Sequence, residues 1–312
     1  EIRRWVLEND WLEAIVALPG QLFYNTGINT YIWVLSNRKE ERRKGKVQLI
    51  DATGCYAKMR RSLGDKRHEI TDEQIREITG LFQTFEESKI VKIFDATEFG
   101  YRKITVERPL RLNFRISPER IERLSGEGAF ERLAASKKKG DAGAAEIAEG
   151  RRQQDLVLSV LREMAGDEVY TDRQRFEKVL VAGFRKRGVK LDGAVKKAII
   201  SALSERDETA PACLDAKGMP EADPDLRDTE NVPLKESISG YFEREVLPHV
   251  PDAWINESVT DQKDGLVGKV GYEINFNRYF YTYTPPRPLE EIEAEIKGLE
   301  AEILVMVKGM MG

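Results

Sequence analysis

The chain has 312 residues, 41% hydrophobic and 33% charged, with a formal net charge of −4. That length holds two domains at about 100–200 residues each, the charge argues against a surface that is one continuous mould for nucleic acid, and no apolar run approaches the roughly 20 residues needed to cross a bilayer. Two cysteines, Cys55 and Cys213, lack metal-ligand spacing, and two histidines, His68 and His249, stand beside no nucleophile, which disfavours metal sites, zinc hydrolysis and serine-type triads. The default location is cytoplasmic, with no membrane partner.

Residues 2–9 read as a helix, and 12–18, 30–35 and 46–52 as buried strands. The polar run 36–45 suits a surface connection between antiparallel neighbours. It carries Arg38, Lys39, Arg42, Arg43, Lys44 and Lys46, and a second basic run follows with Lys58, Arg60, Arg61, Lys66 and Arg67. Local basic loops bind phosphate even on an acidic chain; a solvated hairpin with no partner is the alternative. A helix over 70–82 is capped by Thr71 or Asp72, with Ile75, Ile78 and Phe82 on one face. Residues 90–95 form a short strand, and 100–114 is extended with Ile104, Val106, Leu110, Leu112 and Phe114 on one face.

The pattern turns helical after Ser117. A helix begins at Pro118, residues 137–145 read as a mobile linker, and helical periodicity resumes over 153–165, 172–187 and 192–204. Residues 206–232, with Pro211, Pro220 and Pro224, are expected to run over the surface. Gly268-Lys269-Val270-Gly271-Tyr272 lacks Walker spacing and reads as a turn. The aromatic group Tyr272, Phe276, Tyr279, Phe280, Tyr281 and Tyr283 either lines a nucleic-acid groove or, as the favoured reading, packs the tail onto the first domain. Leu289, Ile292, Ile296, Leu299, Ile303 and Met306 then recur at steps of three and four, the stripe of a helix that packs on another helix.

Between the first two strands lies Leu18-Pro19-Gly20-Gln21-Leu22-Phe23-Tyr24-Asn25-Thr26-Gly27. From composition alone Phe23 packs in the core and Asn25-Thr26-Gly27 is a turn. The segment 12–37 resembles the late part of a DNA adenine methyltransferase domain, and more narrowly the modification (M) subunit of a type I restriction-modification system. Phe99-Gly100-Tyr101-Arg102-Lys103-Ile104 and its continuation to Arg111, Tyr241-Phe242-Glu243-Arg244-Glu245-Val246-Leu247-Pro248, and the run from Val270 to Tyr283 resemble the same family.

The resemblance implies an α/β fold plus a largely helical C-terminal region, in which the first strands are the last strands of a methyltransferase sheet, an edge hairpin. It implies methyl transfer from S-adenosylmethionine to the exocyclic amine of adenine in DNA. Phe23 would stack on the extruded base, and Asn25 and Thr26 would hydrogen-bond its edge or phosphate. Arg38, Lys39, Arg42, Arg43 and Lys44 are the candidate phosphate contacts. The family's glycine loop and Asn-Pro-Pro-Phe/Tyr loop have no counterpart here, since no Asn-Pro occurs, so the chain is expected to be an inactive C-terminal fragment without catalytic residues and without affinity for the cofactor. Expected partners are DNA, a specificity subunit, a second modification subunit and a restriction subunit. The expected division is 1–116, the end of the catalytic domain, 117–232, a helical insert, and 233–312, a tail with a docking helix over 289–307. The competing class is a non-catalytic assembly module that only docks partner subunits.

Overall fold

The computed structural model describes residues 1–283 and 285–310. The chain divides into two units, Glu1–Gly100 with Gly271–Gly312, and Tyr101–Val270. In the first, α1 (Ile2–Glu8) buries Val6 and Leu7 and leads into β1 (Leu12–Ala17), β2 (Tyr31–Leu35), β3 (Lys46–Asp51), β4 (Ala57–Leu63), β5 (Lys66–Glu69), α2 (Asp72–Thr84) and β6 (Val91–Asp95). The main sheet has the order β2-β1-β3-β6.

β1 is antiparallel to β2 and parallel to β3, with Val16 opposite both Ile32 and Ile50. Residues 36–45 therefore carry the chain across β1 and do not join antiparallel neighbours. The apolar runs of β1 and β3 are buried, as central strands with both faces covered require. β2 departs from the buried strand expected at 30–35. It occupies the sheet edge and leaves Tyr31, Ile32, Trp33 and Leu35 exposed.

α2 starts with a capping box in which Thr71 and Gln74 satisfy each other's backbone N–H groups. Ile78, Leu81 and Phe82 pack toward Val16, Ile50 and Val91, whereas Ile75 is half exposed, so the buried stripe is rotated from the expected one.

The second unit comprises β7 (Gly100–Glu107), β8 (Leu112–Phe114), α3 (Pro118–Glu122), α4 (Gly128–Glu131), α5 (Asp141–Glu163), α6 (Arg173–Lys186), α7 (Gly193–Ala202), β9 (Ser204–Arg206), β10 (Asp228–Pro233), α8 (Ile238–Tyr241), β11 (Trp254–Ile255) and β12 (Lys269–Tyr272). β10 runs antiparallel along β7 with Thr229 opposite Thr105, and β9 does the same along β8. These ladders bind 101–114 to 204–233, so the observed division does not fall at 116 and 232. The extended run expected over 100–114 is broken after Glu107. Leu110 there donates its N–H to Glu221 and accepts from Cys213.

Two further segments differ from their expected character. α5 begins at Asp141, inside the expected linker, and its glycines serve close packing: a Cβ on Gly150 would lie 1.7 Å from the Leu133 carbonyl, and one on Gly143 2.2 Å from that of Lys138. Residues 206–232 bury Ala210, Cys213 and Asp223. The helices enclose a core that includes Phe114, Leu124, Leu161, Phe176, Phe184 and Ile199, and a second cluster joins Ile104 and Val106 to Val232, Phe242 and Val246.

After Gly271 the chain rejoins the first unit as α9 (Phe276–Phe280) and α10 (Leu289–Met310). Phe276 is buried with Val6, Leu12, Ile15 and Phe99, and Tyr272, Ile274, Tyr279 and Phe280 pack around that cluster. The aromatic group thus serves packing up to Phe280, while Tyr281 and Tyr283 are exposed. Along α10, Leu289, Ile296, Leu299, Ile303 and Met306 are half or more exposed, as are Leu304 and Val305; Ile292 is half-buried.

Candidate nucleic-acid interface

The loop between β1 and β2 is closed at its base by the Leu18 N–H donating to Thr30, at 2.8 Å. Gln21 sits in the left-handed region at φ 60°, and a Cβ on Gly20 would lie 2.8 Å from the Asn29 side chain, so the entry to the loop is tightly folded. Phe23 and Thr26 face each other across a β-bridge, and the Thr26 hydroxyl accepts from the Ile28 N–H. This turn lifts the aromatic pair away from the sheet. Phe23 is 48% and Tyr24 58% exposed, and Phe23 enters none of the apolar clusters. Asn25 is exposed beside it and Thr26 half-buried.

The loop rests on the β4–β5 hairpin. The N–H groups of Arg67 and His68 both donate to the Gln21 carbonyl, at 2.9 and 3.2 Å, and the Asp65 N–H donates to Tyr24, at 3.1 Å. Lys66 Nζ lies 5.6 Å from the centre of the Tyr24 ring, and His68 Nδ1 is 2.8 Å from the Gly20 carbonyl. Gly64, at φ 60°, makes the tight turn between the strands. Loop and hairpin are one platform. Lys58, Arg60, Arg61 and Arg67 project from it exposed, and among the described residues none of the four has an ion pair.

The first basic run is arranged otherwise. α2 has no basic residue in its last turn and ends on Phe85 at φ 55°, leaving four carbonyls without helical partners. Gln48 Nε2 donates to that of Leu81, Arg43 to Phe82, and Arg42 to both Gln83 and Thr84. Arg43 is buried, 4.3 Å from the centres of both the Phe82 and Phe85 rings and 3.4 Å from Glu13, and burial pulls its guanidinium below the ordinary value. Lys39 is buried too, donating to Asp10 at 2.5 Å and to the Lys46 carbonyl at 2.8 Å. Arg42 pairs with Glu40, whose carboxyl that hydrogen bond holds below the ordinary value, and Lys44 pairs with Glu41.

Of the five expected phosphate contacts, Arg38 alone is exposed without an ion pair among the described residues. The structure thus brings Phe23, Asn25 and Thr26 together and sets beside them the second basic run, not the first. The signal for this was a Gly-Asp pair, Gly64-Asp65, between two basic stretches, the pattern of a two-residue hairpin.

A cleft of about 490 Å³ opens elsewhere in the first unit, lined by Arg3, Tyr31, Trp33, Asn275, Asn277 and Arg278 among others, and by no carboxylate. Tyr31 donates its hydroxyl to Asn277, at 3.3 Å. Among the described residues no group of His, Cys, Asp and Glu is placed to hold a metal ion, and no helix is long and apolar enough to cross a membrane.

A family model described as N-6 DNA methylase matches residues 1–106. The methylase subunit of the type I restriction enzyme MjaIX of Methanocaldococcus jannaschii is 32% identical over 125 residues, which cover 38% of this chain and 21% of that protein. That of the type I restriction enzyme HindI of Haemophilus influenzae is 52% identical over 52 residues, 17% of this chain and 11% of that protein. The solved methyltransferase subunit of a type I restriction-modification system from Streptococcus thermophilus is 25% identical, covering 31% of this chain and 19% of that one, with a TM-score of 0.27. The chain matches at most about a fifth of the length of these relatives. It resembles the modification subunits of type I restriction-modification systems.

Proposed function

We propose that this chain is the C-terminal part of a type I modification subunit whose whole transfers a methyl group from S-adenosylmethionine to the exocyclic amine of adenine in DNA. Its own contribution is to receive the base and hold the adjoining strand. A base in a duplex must leave the stack before its amine can be reached, and the ring that catches it must be open to solvent beforehand. Phe23 meets that demand, and its exposure at the tip of a braced loop is the observation that carries the reading. Asn25 and Thr26 stand beside it to bond the base edge or its phosphate, and Lys58, Arg60, Arg61 and Arg67 face the flanking phosphates.

The cleft of the first unit does not offer the cofactor its usual partners. The cofactor's ribose hydroxyls call for a carboxylate, whereas the first unit's cleft presents arginines, amides and aromatic rings.

Base capture is tested in the assembled enzyme with 2-aminopurine at the target position. Phe23→Ala should remove most of the fluorescence rise on flipping while leaving duplex affinity within about twofold, since stacking is worth about 1–3 kcal/mol per base and acts after docking. Unaltered flipping would end the reading.

α10 is proposed to dock on helices of a specificity subunit. The apolar run 303–307 circles the helix almost completely, and a helix apolar all round needs enclosure. Ile296→Asp with Ile303→Asp should abolish co-purification with that subunit without unfolding the first unit; normal assembly of the double variant would refute it.

A further inference from the structure

The segment from Asp172 to Ser204 carries nine lysines and arginines against three acidic residues, in a chain whose total is −4. It folds as α6, a short turn and α7, anchored in the helical core by Phe176, Leu180, Phe184, Val195 and Ile199. Burying those residues turns the charged positions outward. Arg173, Arg175, Arg187 and Lys196 are compensated, by Glu221 at 2.6 Å, Glu168 at 3.3 Å, Glu163 at 2.7 Å and Glu177 at 3.0 Å. Among the described residues Lys178, Arg185, Lys186, Lys190 and Lys197 have no such partner.

Three of these free cations, Lys178, Arg185 and Lys197, line one cleft of about 1030 Å³. Two of its three acids are already paired with cations. Glu177 and Glu221 hold the ion pairs just given, and the Asp215 carboxylate accepts from the N–H groups of Lys217 and Met219, at 2.7 and 2.9 Å, which holds its pKa below the ordinary range. Within the same cleft Arg173 keeps a buried Nε with no acceptor. Asp215 stays ionised, and the lining sums to four cations, Arg173, Lys178, Arg185 and Lys197, against three carboxylates, a net positive charge.

Arg185 and Val181 also line a second cleft, of about 430 Å³, which adds Lys190 and Lys196. The positive lining therefore continues through two adjoining clefts, and Lys178 and Arg185 alone are about 10 Å apart along the helix axis. One phosphate cannot meet all of these groups; a polymer with regularly repeated charge can. The larger cleft contains no aromatic ring on which an unpaired base could stack, only Val181, Ala182, Ile200, Leu214 and Ala216 as apolar surface.

We infer that α6 and α7 form a second, sequence-independent site for the phosphate backbone of duplex DNA, separate from the base-receiving loop and resting on none of its residues. The test is anisotropy of the full chain on short labelled duplexes of unrelated sequence, across a salt series. Lys178→Glu with Arg185→Glu and Lys197→Glu should weaken binding about tenfold or more and lower the slope of log affinity against log salt by about 2–3, equally for every sequence. Circular dichroism establishes that the variant is folded, and the neutral triple variant to alanine should show the same change in slope with a smaller loss of affinity. A folded variant with the original slope overturns the inference. So does competition by a poly-glutamate peptide as effective, at equal charge, as by unlabelled duplex, which would assign the clefts to an acidic protein segment. Phe23→Ala should leave the slope untouched, so a failure at the base-receiving loop is read separately.

Discussion

Two basic runs lie close together in the first unit, Arg38 to Lys46 and Lys58 to Arg67, and nothing in their composition tells them apart. Their surroundings do. The first crosses β1 in the sheet next to the end of α2, where four orphan carbonyls and the carboxylates of Asp10 and Glu13 draw Lys39 and Arg43 inward and tie Arg42 down at the surface. The second sits on a two-stranded hairpin with no helix end to cap, so its cations face water. A cluster of positive charge is evidence of a phosphate site only after the protein's own acceptors have been subtracted.

The largest effect expected from this contrast is on stability. Arg43→Ala removes the donor to Gln48 Oε1 and to the Phe82 carbonyl and leaves Glu13, only 13% exposed, without its cation. Breaking a buried pair of this kind costs about 3–5 kcal/mol. Urea unfolding measures it, and a loss of under about 1 kcal/mol, the range of surface pairs, would show that Arg43 is not a structural cap.

Arg60→Ala with Arg61→Ala should do the reverse. Stability changes by no more than about 0.5 kcal/mol per site, as for surface positions without partners. Duplex affinity instead falls about tenfold and the salt slope drops by about two, one for each phosphate contact removed. If the slope holds and the melting temperature falls, the roles of the two runs are exchanged.

Much of this was legible in the chain and some was not. Strands at 12–18 and 46–52 could be read because both are apolar runs of strand length, and the capping residues at 71–74 marked a helix start. The helix end at Thr84 was the overlooked clue: without glycine or a basic residue in the last turn, its carbonyls had to be met from elsewhere, and Arg42, Arg43 and Gln48 meet them. Periodicity cannot show that β3 lies parallel to β1 with β2 on the far side, since order in a sheet depends on packing of distant residues. Nor could it separate a loose glycine stretch from Gly143 and Gly150, which permit close backbone approach. The aromatic pair at 23–24 was readable as a loop, but its exposure depends on the bridge from Phe23 to Thr26 and on the hairpin beneath.

The smallest expected effect carries the same contrast into the second unit, where one carboxylate serves both an inward and an outward arginine. Glu205 accepts from Arg120, buried and also bound to the Leu203 carbonyl and Asn113, and from Arg123, which is 47% exposed. The Arg123 hydrogen bond, followed by that of Arg120, holds the Glu205 carboxyl below the ordinary carboxylate value. A carboxyl whose pKa is depressed on folding adds stability that is fully present above its unfolded value and is lost as pH falls through the folded one. Unfolding midpoints measured from neutral pH down through the carboxylate range should therefore fall in the wild type by more than in Glu205→Gln. The difference should be at most about 1 kcal/mol, because Glu205 is itself 43% exposed and solvent screens the pair. Arg120→Ala should flatten the profile and lower stability at neutral pH by more than the flattening accounts for, by leaving the Leu203 carbonyl and Asn113 Oδ1 without their donor, whereas Arg123→Ala should lower stability at neutral pH only by the amount it flattens the profile, at most about 1 kcal/mol. Equal losses at neutral pH from both arginine variants would show that burial does not separate the two arginines, and the distinction between inward and outward charge would fail where it should be easiest to see.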